Sequence, residues 1–248
     1  MSESDLDLTN VDVPAAGGAP PSGGSDQPPA GNQAARAGQP RLGPVAVVGA
    51  GTIGLSWARL FASCGAPVRI FDPRPDLAEV CAGIVAEAPE CEDLLIVAKC
   101  LGEAVDGVRL VQESGPEDPA VKTQLFADLA EYAPDEALLV SSSSAITASS
   151  IAARMTDADA ARVLIAHPFN PPHVMPLVEI VPGERTASES VERALAIYRR
   201  CGKEPVVLRA EAAGFVGNRL QNAVLREELD AGPPRRSGPG AQTAARKK

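Results

Sequence analysis

The sequence predicts an α/β fold: a doubly wound, mainly parallel sheet with helices on both faces, flanked by disordered tails. Three observations predict it. Short β-branched runs alternate with helix-period segments from Pro44 to about Asp230. The first run stops in a glycine-rich turn that opens directly into a helix. Both ends of the chain are Pro, Gly, Ala and Ser with few bulky apolar residues, a composition that cannot offset the entropy of ordering.

The elements follow in order. Residues 1–43 are expected to form a disordered tail, and 44–210 the αβ domain. "PVAVVGAG" reads as a strand, and "TIGLSWARLFASCG" as a helix with Ile53, Trp57, Leu60 and Phe61 on one face. "PVRIFD", "LLIVAK" and "VRLVQES" read as the next three strands. "DPAVKTQLFADLAEYA" is a helix with an acidic start and Val121, Leu125 and Leu129 at i+4 spacing. "ALLVSSSS" is a strand running into a hydroxyl-rich turn, followed by a helix in "SSIAARM" and strands in "RVLIAHPF" and "PLVEIVPG". Ser188 marks the start and Gly202 the end of the next helix, and "PVVLR" is the last strand. Residues 211–230 are expected to be a separate helical segment carrying an apolar stripe of Val216, Leu220 and Val224. Residues 231–248 are expected to be a disordered basic tail.

Composition removes several function classes. A formal charge of −9 opposes a nucleic-acid surface, and the basic residues at the end are too sparse to reverse it. No apolar run approaches the roughly 20 residues of a membrane span, and the acidic start has no signal-peptide character. The 5 cysteines are scattered without a CxxC pair, which suits reduced thiols in the cytoplasm rather than a disulfide or zinc framework.

The glycine-rich turn reads Gly49-x-Gly51-x-x-Gly54, between a strand and a helix. Gly49 permits the tight turn and Gly51 lets the backbone approach a pyrophosphate. Gly54 lets the helix pack close to the strand, while the helix N-terminus faces the anion. Thr52 and Ile53, inside the turn, complete this cofactor-binding set. Asp72 closes the second strand about twenty residues on, where a carboxylate would accept a ribose 2′-hydroxyl. This arrangement is a Rossmann-type one and points to NAD. Arg74 keeps NADP open, FAD uses the same fingerprint, and glycines kept for packing alone are the bland alternative.

Both histidines lie in "LIAHPFNPPHVMPLVEI". A metal pair is not expected: no Cys stands near, and the prolines forbid helical i,i+4 geometry. A core histidine bonded to backbone is the plain reading of His167. A dehydrogenase needs instead a base of near-neutral pKa at the carbinol oxygen and a carboxylate to orient it. Glu179, in the apolar strand "PLVEIV", is costly to bury without such a partner. Asn170, between the two strands, is placed to hold substrate or nicotinamide.

"VAVVGAGTIG", "GPEDPAVKTQLF", "SSSS", "HPFNPP", "LVEIV" and "GFVGNRL", in this order, resemble the L-3-hydroxyacyl-CoA dehydrogenase family. The family includes λ-crystallin (L-gulonate 3-dehydrogenase) and carnitine dehydrogenase-like enzymes. The resemblance implies His167 as catalytic base, Glu179 as its carboxylate, and Ser144 and Asn218 as substrate-contacting groups. It implies cofactor contacts for Glu117, Lys122 and Asn170, and assigns no role to His173. "HPFNPP" followed by "MPLVEIVPG" is closer to the gulonate and carnitine branch than to the fatty acyl-CoA branch.

Two departures stand out. The stretch from Asp72 to Glu117 is shorter than in the family, which implies loss of the helical hairpin that contacts CoA. The family also continues past the Asn218 helix into an all-helical domain, whereas here the composition breaks after "LQNAVLREEL". Either a second copy or a partner subunit covers the apolar stripe, or the chain is truncated. The functional expectation is NAD-dependent interconversion of a 3-hydroxy acid, or a 3-hydroxyacyl thioester, and its 3-keto form. An NAD(H)-binding protein without turnover, crystallin-like or a decayed paralogue, is the alternative from another class, and an NAD-sensing module a third.

Overall fold

A computed structural model describes residues 42–230, with side chains to residue 227. Apart from Leu42 and Gly43, the expected tails 1–43 and 231–248 lie outside the described residues. Leu42 departs from the tail reading: it is buried in the core ahead of the first strand.

Eight strands form one sheet: β1 (Val45–Val48), β2 (Val68–Phe71), β3 (Leu95–Val97), β4 (Leu110–Glu113), β5 (Leu138–Ser141), β6 (Val163–Pro168), β7 (Leu177–Pro182) and β8 (Glu204–Val207). Their spatial order is β3-β2-β1-β4-β5-β6-β7-β8. Every pairing is parallel except β6 with β7, which is antiparallel. The order reverses beside β1, so the crevice between the carboxyl ends of β1 and β4 is the switch point where such sheets bind ligands.

The period-2 alternation of the strands divides the interior into two layers. Val45, Val47, Val68, Ile70, Leu138 and Val140 point to one face, with Trp57, Phe61 and Tyr198. Ala46, Val48, Val111, Leu139, Val163 and Ile165 point to the other, with Phe126, Leu129, Ile151 and Phe215. The first layer is covered by α1 (Thr52–Ser63), α2 (Leu77–Glu87) and α7 (Ser188–Arg200). The second is covered by α3 (Leu101–Val105), α4 (Pro119–Tyr132) and α5 (Ala148–Ile151). A short α6 (Asp157–Ala160) precedes β6, and α8 (Gly217–Asp230) ends the described chain. Among the described residues, no helix is long and apolar enough to cross a membrane.

Two local readings are corrected. Val121 is not on the inner face of α4; it is exposed, and Lys122, Phe126 and Leu129 face inward. The reason is electrostatic. The Asp118 carboxylate caps the helix on Ala120 and Val121 N–H, and Lys122 turns in to pair with the buried Glu113. Ser188 is the first residue of α7 rather than its cap, because Ala187 N–H is already held by Ala161 O; its hydroxyl donates to Glu189. Gly202, at φ 78°, does end that helix. The stretch after Asp72 folds into α2 and a 3-10 helix at Pro89–Leu94.

Lys122 donates to both oxygens of Glu113, at 2.7 and 2.8 Å, and both side chains are almost fully buried. Ser141 Oγ gives the same carboxylate a third bond at 2.5 Å. Removing one partner strands a charge inside the protein. Lys122→Met is therefore expected to lower unfolding free energy by about 3–5 kcal/mol in urea denaturation. Glu113→Gln combined with Lys122→Met should recover part of the loss; full additivity of the two single losses would show that the pair is not coupled.

Candidate active site

The glycine turn has the shape an anion cradle requires. Gly49 adopts φ +99°, and a Cβ there would lie 2.7 Å from Ser114 backbone atoms. At Gly54 a Cβ would lie 1.8 Å from Gly49 O, so strand and helix touch there through bare backbone. Gly51 is different: a Cβ there would meet nothing within 4 Å. The protein's own packing does not demand this glycine, and the open space stands at the α1 N-terminus. Gly51 is also the N-cap, without a side-chain cap or an acid in the first turn, which leaves that end for a pyrophosphate. Thr52 is exposed there, and Ile53 lines the adjoining cleft.

Asp72 follows β2 directly. Its Oδ2 accepts Ala50 N–H at 2.7 Å and its Oδ1 accepts Arg74 N–H at 2.9 Å, so the carboxylate is fixed against the glycine turn. Each oxygen keeps a lone pair for a ribose hydroxyl. The turn and Asp72 fit an adenine dinucleotide.

Glu117 and Lys122 lie beside the serine-rich turn. Glu117 Oε1 accepts Ser143 Oγ–H at 2.6 Å, Ala145 N–H at 2.9 Å and Ser144 N–H at 3.0 Å, so it shapes the loop that carries Ser144. Burial alone would raise its carboxyl, but these donors and the Lys122 ammonium together hold it below the usual carboxylate range. Lys122 Nζ is 3.8 Å from Glu117 and bonded to Glu113, which engages the ammonium within the protein.

His167 and Glu179 occupy directly opposed positions across the antiparallel β6–β7 pair. That register places both side chains on one side of the sheet, with His167 Nδ1 2.8 Å from Glu179 Oε2. Glu179 Oε1 accepts Gly217 N–H at 2.9 Å and Val216 N–H at 3.1 Å from the start of α8. With the carboxylate accepting throughout, Nδ1–H donates to it and Nε2 keeps the ring's lone pair. Phe169 and Phe215 flank the imidazole at centroid distances of 5.5 and 5.3 Å. Phe215 holds φ 48°, an unfavourable backbone offset by full burial of its ring. At Gly217 a Cβ would come within 2.4 Å of the Phe169 ring, so only glycine lets α8 start this close.

These elements enclose a cleft of about 250 Å³ lined by Ile53, Ser142, Ser144, His167, Phe169, Asn170 and Asn218, among others. Asn218 Nδ2 reaches across to Ser144 O at 3.3 Å. Of the residues expected from the resemblance, Ser144, His167, Asn170 and Asn218 share one cleft, with Glu179 buried behind His167 and Lys122 and Glu117 behind the serine turn. His173 stands apart. Its backbone N–H donates to Ser56 Oγ at 3.0 Å, and the same hydroxyl bonds Nδ1 at 2.7 Å, docking the proline-rich turn on α1.

Several groups escaped the sequence reading. Ser142 Oγ receives Gln112 Nε2–H at 2.9 Å and Trp57 Nε1–H at 3.1 Å. Both lone pairs are then used, and its own proton goes to Ser114 Oγ, 2.9 Å away. Tyr198 OH donates to Gln112 Oε1 at 2.5 Å, which carries the chain into the core. Lys203 Nζ donates to Pro172 O at 2.5 Å and to Met175 O, pinning the turn after Asn170. These contacts link residues about 28 to 86 positions apart, beyond the reach of local periodicity.

Comparison with known proteins agrees with this geometry. The family model for 3-hydroxyacyl-CoA dehydrogenase, NAD binding domain, matches residues 44–212. The chain is 42% identical to a lambda-crystallin homolog of Bos taurus over 201 residues, covering 75% of this chain and 62% of that protein. It is 40% identical to a 3-hydroxyacyl-CoA dehydrogenase of Gibberella moniliformis, covering 81% of this chain and 68% of the relative. An L-carnitine dehydrogenase of Nocardiopsis dassonvillei is 38% identical, with 75% and 59% covered. The crystal structure of 3-hydroxybutyryl-CoA dehydrogenase from Escherichia coli K12 superposes with TM-score 0.72 at 35% identity, covering 77% of this chain and 43% of that one. The chain therefore spans about three fifths of its curated relatives.

Burial holds the His173 imidazole below its ordinary value of 6.5, reinforced by Arg59 and Lys203 and opposed by Glu87. The unfolded chain binds that proton more readily, so the contribution is complete above pH 6.5 and is lost as pH falls through the lower folded value. Wild-type Tm is expected to drop more between pH 7 and pH 5 than that of His173→Asn. Parallel curves would remove His173 as the source.

Proposed function

The chain belongs to the 3-hydroxyacyl-CoA dehydrogenase family, and from that membership we propose that it is an NAD-dependent oxidoreductase interconverting a 3-hydroxy acid, or its thioester, with the 3-keto compound. The observation that carries the reading is His167, bonded to the buried Glu179, on the wall of a cleft that also holds Ile53 of the glycine turn.

Bound NAD would supply the acceptor for the hydride leaving the carbinol carbon; Gly49, Gly51, Thr52, Ile53, Gly54 and Asp72 would hold it. His167 takes the hydroxyl proton on Nε2, the nitrogen left with a lone pair. Glu179 keeps the ring in that tautomer and stabilises the imidazolium, itself steadied by the Val216 and Gly217 N–H groups. Ser144 and Asn218 orient the carbinol oxygen, and in reverse they polarise the ketone. Asn170, exposed at the cleft, contacts nicotinamide or substrate. Glu117 reaches the cofactor from behind the serine turn, and Lys122 acts through it and Glu113.

The similarity to L-carnitine dehydrogenases supports a small polar hydroxy acid as substrate. Only α2 and one 3-10 helix lie between β2 and β3, which supports loss of a CoA-clasping hairpin. The reading places the enzyme in the cytoplasm. Residues 211–230 begin a helical segment that, on this reading, requires a covering surface. The exposed Val216, Leu220, Val224 and Leu225 support a second copy or a partner subunit in that place. The same exposed face favours the second reading, an NAD(H)-binding protein without turnover.

NADH fluorescence binding with a panel of 3-hydroxybutyrate, gulonate, carnitine and 3-hydroxybutyryl-CoA separates the two. The dehydrogenase reading expects NADH binding and turnover of a hydroxy acid; binding without turnover supports the alternative. His167→Gln is expected to bind NADH nearly as before while turnover falls about 10²–10⁴-fold. Undiminished turnover would remove His167 as base. Calorimetry is expected to find no micromolar acetoacetyl-CoA binding, and such binding would overturn the lost-hairpin reading.

A further inference from the structure

Arg74 stands two residues after the carboxylate that would meet the adenosine ribose, and three of its guanidinium N–H groups are engaged within the protein. Nε donates to Asp76 Oδ1 at 2.7 Å and Nη2 to Asp76 Oδ2 at 2.8 Å, a bidentate fork. Nη1 donates to Ala50 O at 3.1 Å, within the glycine turn. The ion pair draws the Asp76 carboxyl down and the Arg74 guanidinium up from their ordinary values.

Asp76 departs from a local rule. It occupies the N-cap of α2, where an aspartate ordinarily accepts an N–H of the first turn, yet its side chain makes no cap bond. The carboxylate is committed to Arg74 instead. Departures from such local rules concentrate at functional or strained positions.

We propose that Asp76 is a positioning residue for cofactor choice: it occupies the Nε–Nη2 edge of Arg74, so that a ribose 2′-phosphate would meet Asp72 with that fork already taken, and NAD is preferred to NADP. The inference rests on the NAD-dependent reading of the same site. A 2′-phosphate beside Asp72 would be repelled, and relief would have to come from a bidentate arginine. Arg74 has the position for that role, but it faces a competing carboxylate two residues away. Asp72 is itself locked by Ala50 N–H and Arg74 N–H, so it cannot swing out of a phosphate's way without breaking the turn.

The test is fluorescence titration of the full chain with NADH and with NADPH. Asp76→Asn keeps a good N-cap residue, and coincident thermal unfolding checks that the fold is retained. The ratio of the NADPH to the NADH dissociation constant is expected to fall about tenfold in Asp76→Asn at low salt. It should return toward wild type in Asp76→Glu, which restores the carboxylate, and in Asp76→Asn combined with Arg74→Ala, which removes the fork. An unchanged ratio in Asp76→Asn, with NADH still bound, overturns the inference and leaves the cofactor reading intact. A gain that persists without Arg74 also overturns it. Failure of wild type to bind NADH removes the cofactor reading itself, and the inference with it.

Discussion

The Glu179 carboxylate is where the candidate site is tied together. One oxygen takes the His167 imidazole from β6 and the other takes two backbone N–H groups at the start of α8. A lone carboxylate inside an apolar strand is strongly disfavoured. Three hydrogen bonds from two directions make it tolerable, and the helix N-terminus adds the favourable end of its dipole. The same bonds determine the tautomer of the base and where α8 begins, and Asn218 follows one residue after the anchored Gly217. Among the described residues, no buried side-chain N or O lacks a hydrogen-bond partner, so this carboxylate belongs to an interior whose polar groups are satisfied throughout.

The antiparallel β6–β7 pair is what makes that carboxylate available. In the parallel part of the sheet, neighbouring strands all present their carboxyl ends to the crevice, which suits a loop-bound cofactor. Reversing the direction at β7, which β8 then follows, places His167 and Glu179 as cross-strand neighbours, a distance fixed by the ladder rather than by a loop. The glycine-turn end of the cleft is therefore built from turns and the His167 end from paired strands.

Much of this was legible in the sequence, for physical reasons that differ by residue. The strands appeared because β-branched runs bounded by Gly, Pro and Asp have few other uses. Gly49, Gly51, Gly54 and Asp72 were found because their spacing carries a mechanism. His167 and Glu179 were legible as a pair because a buried acid in an apolar strand demands a partner. The Val121 stripe failed because periodicity ranks valine above lysine, whereas the buried Glu113 outweighs that ranking at Lys122. Ser188 was misread because the entry to α7 is set by a backbone bond from Ala187 to Ala161, a contact from another part of the chain. The Tyr198–Gln112–Ser142 relay left no local trace at all.

The contact between Gly217 and the Phe169 ring has a mechanical meaning. With no side chain between them, the start of α8 lies directly against an aromatic ring that also abuts the imidazole, and the Val216 and Gly217 N–H groups are held by the carboxylate bonded to that same imidazole. The place of the helix and the place of the His167 ring are therefore set by shared contacts.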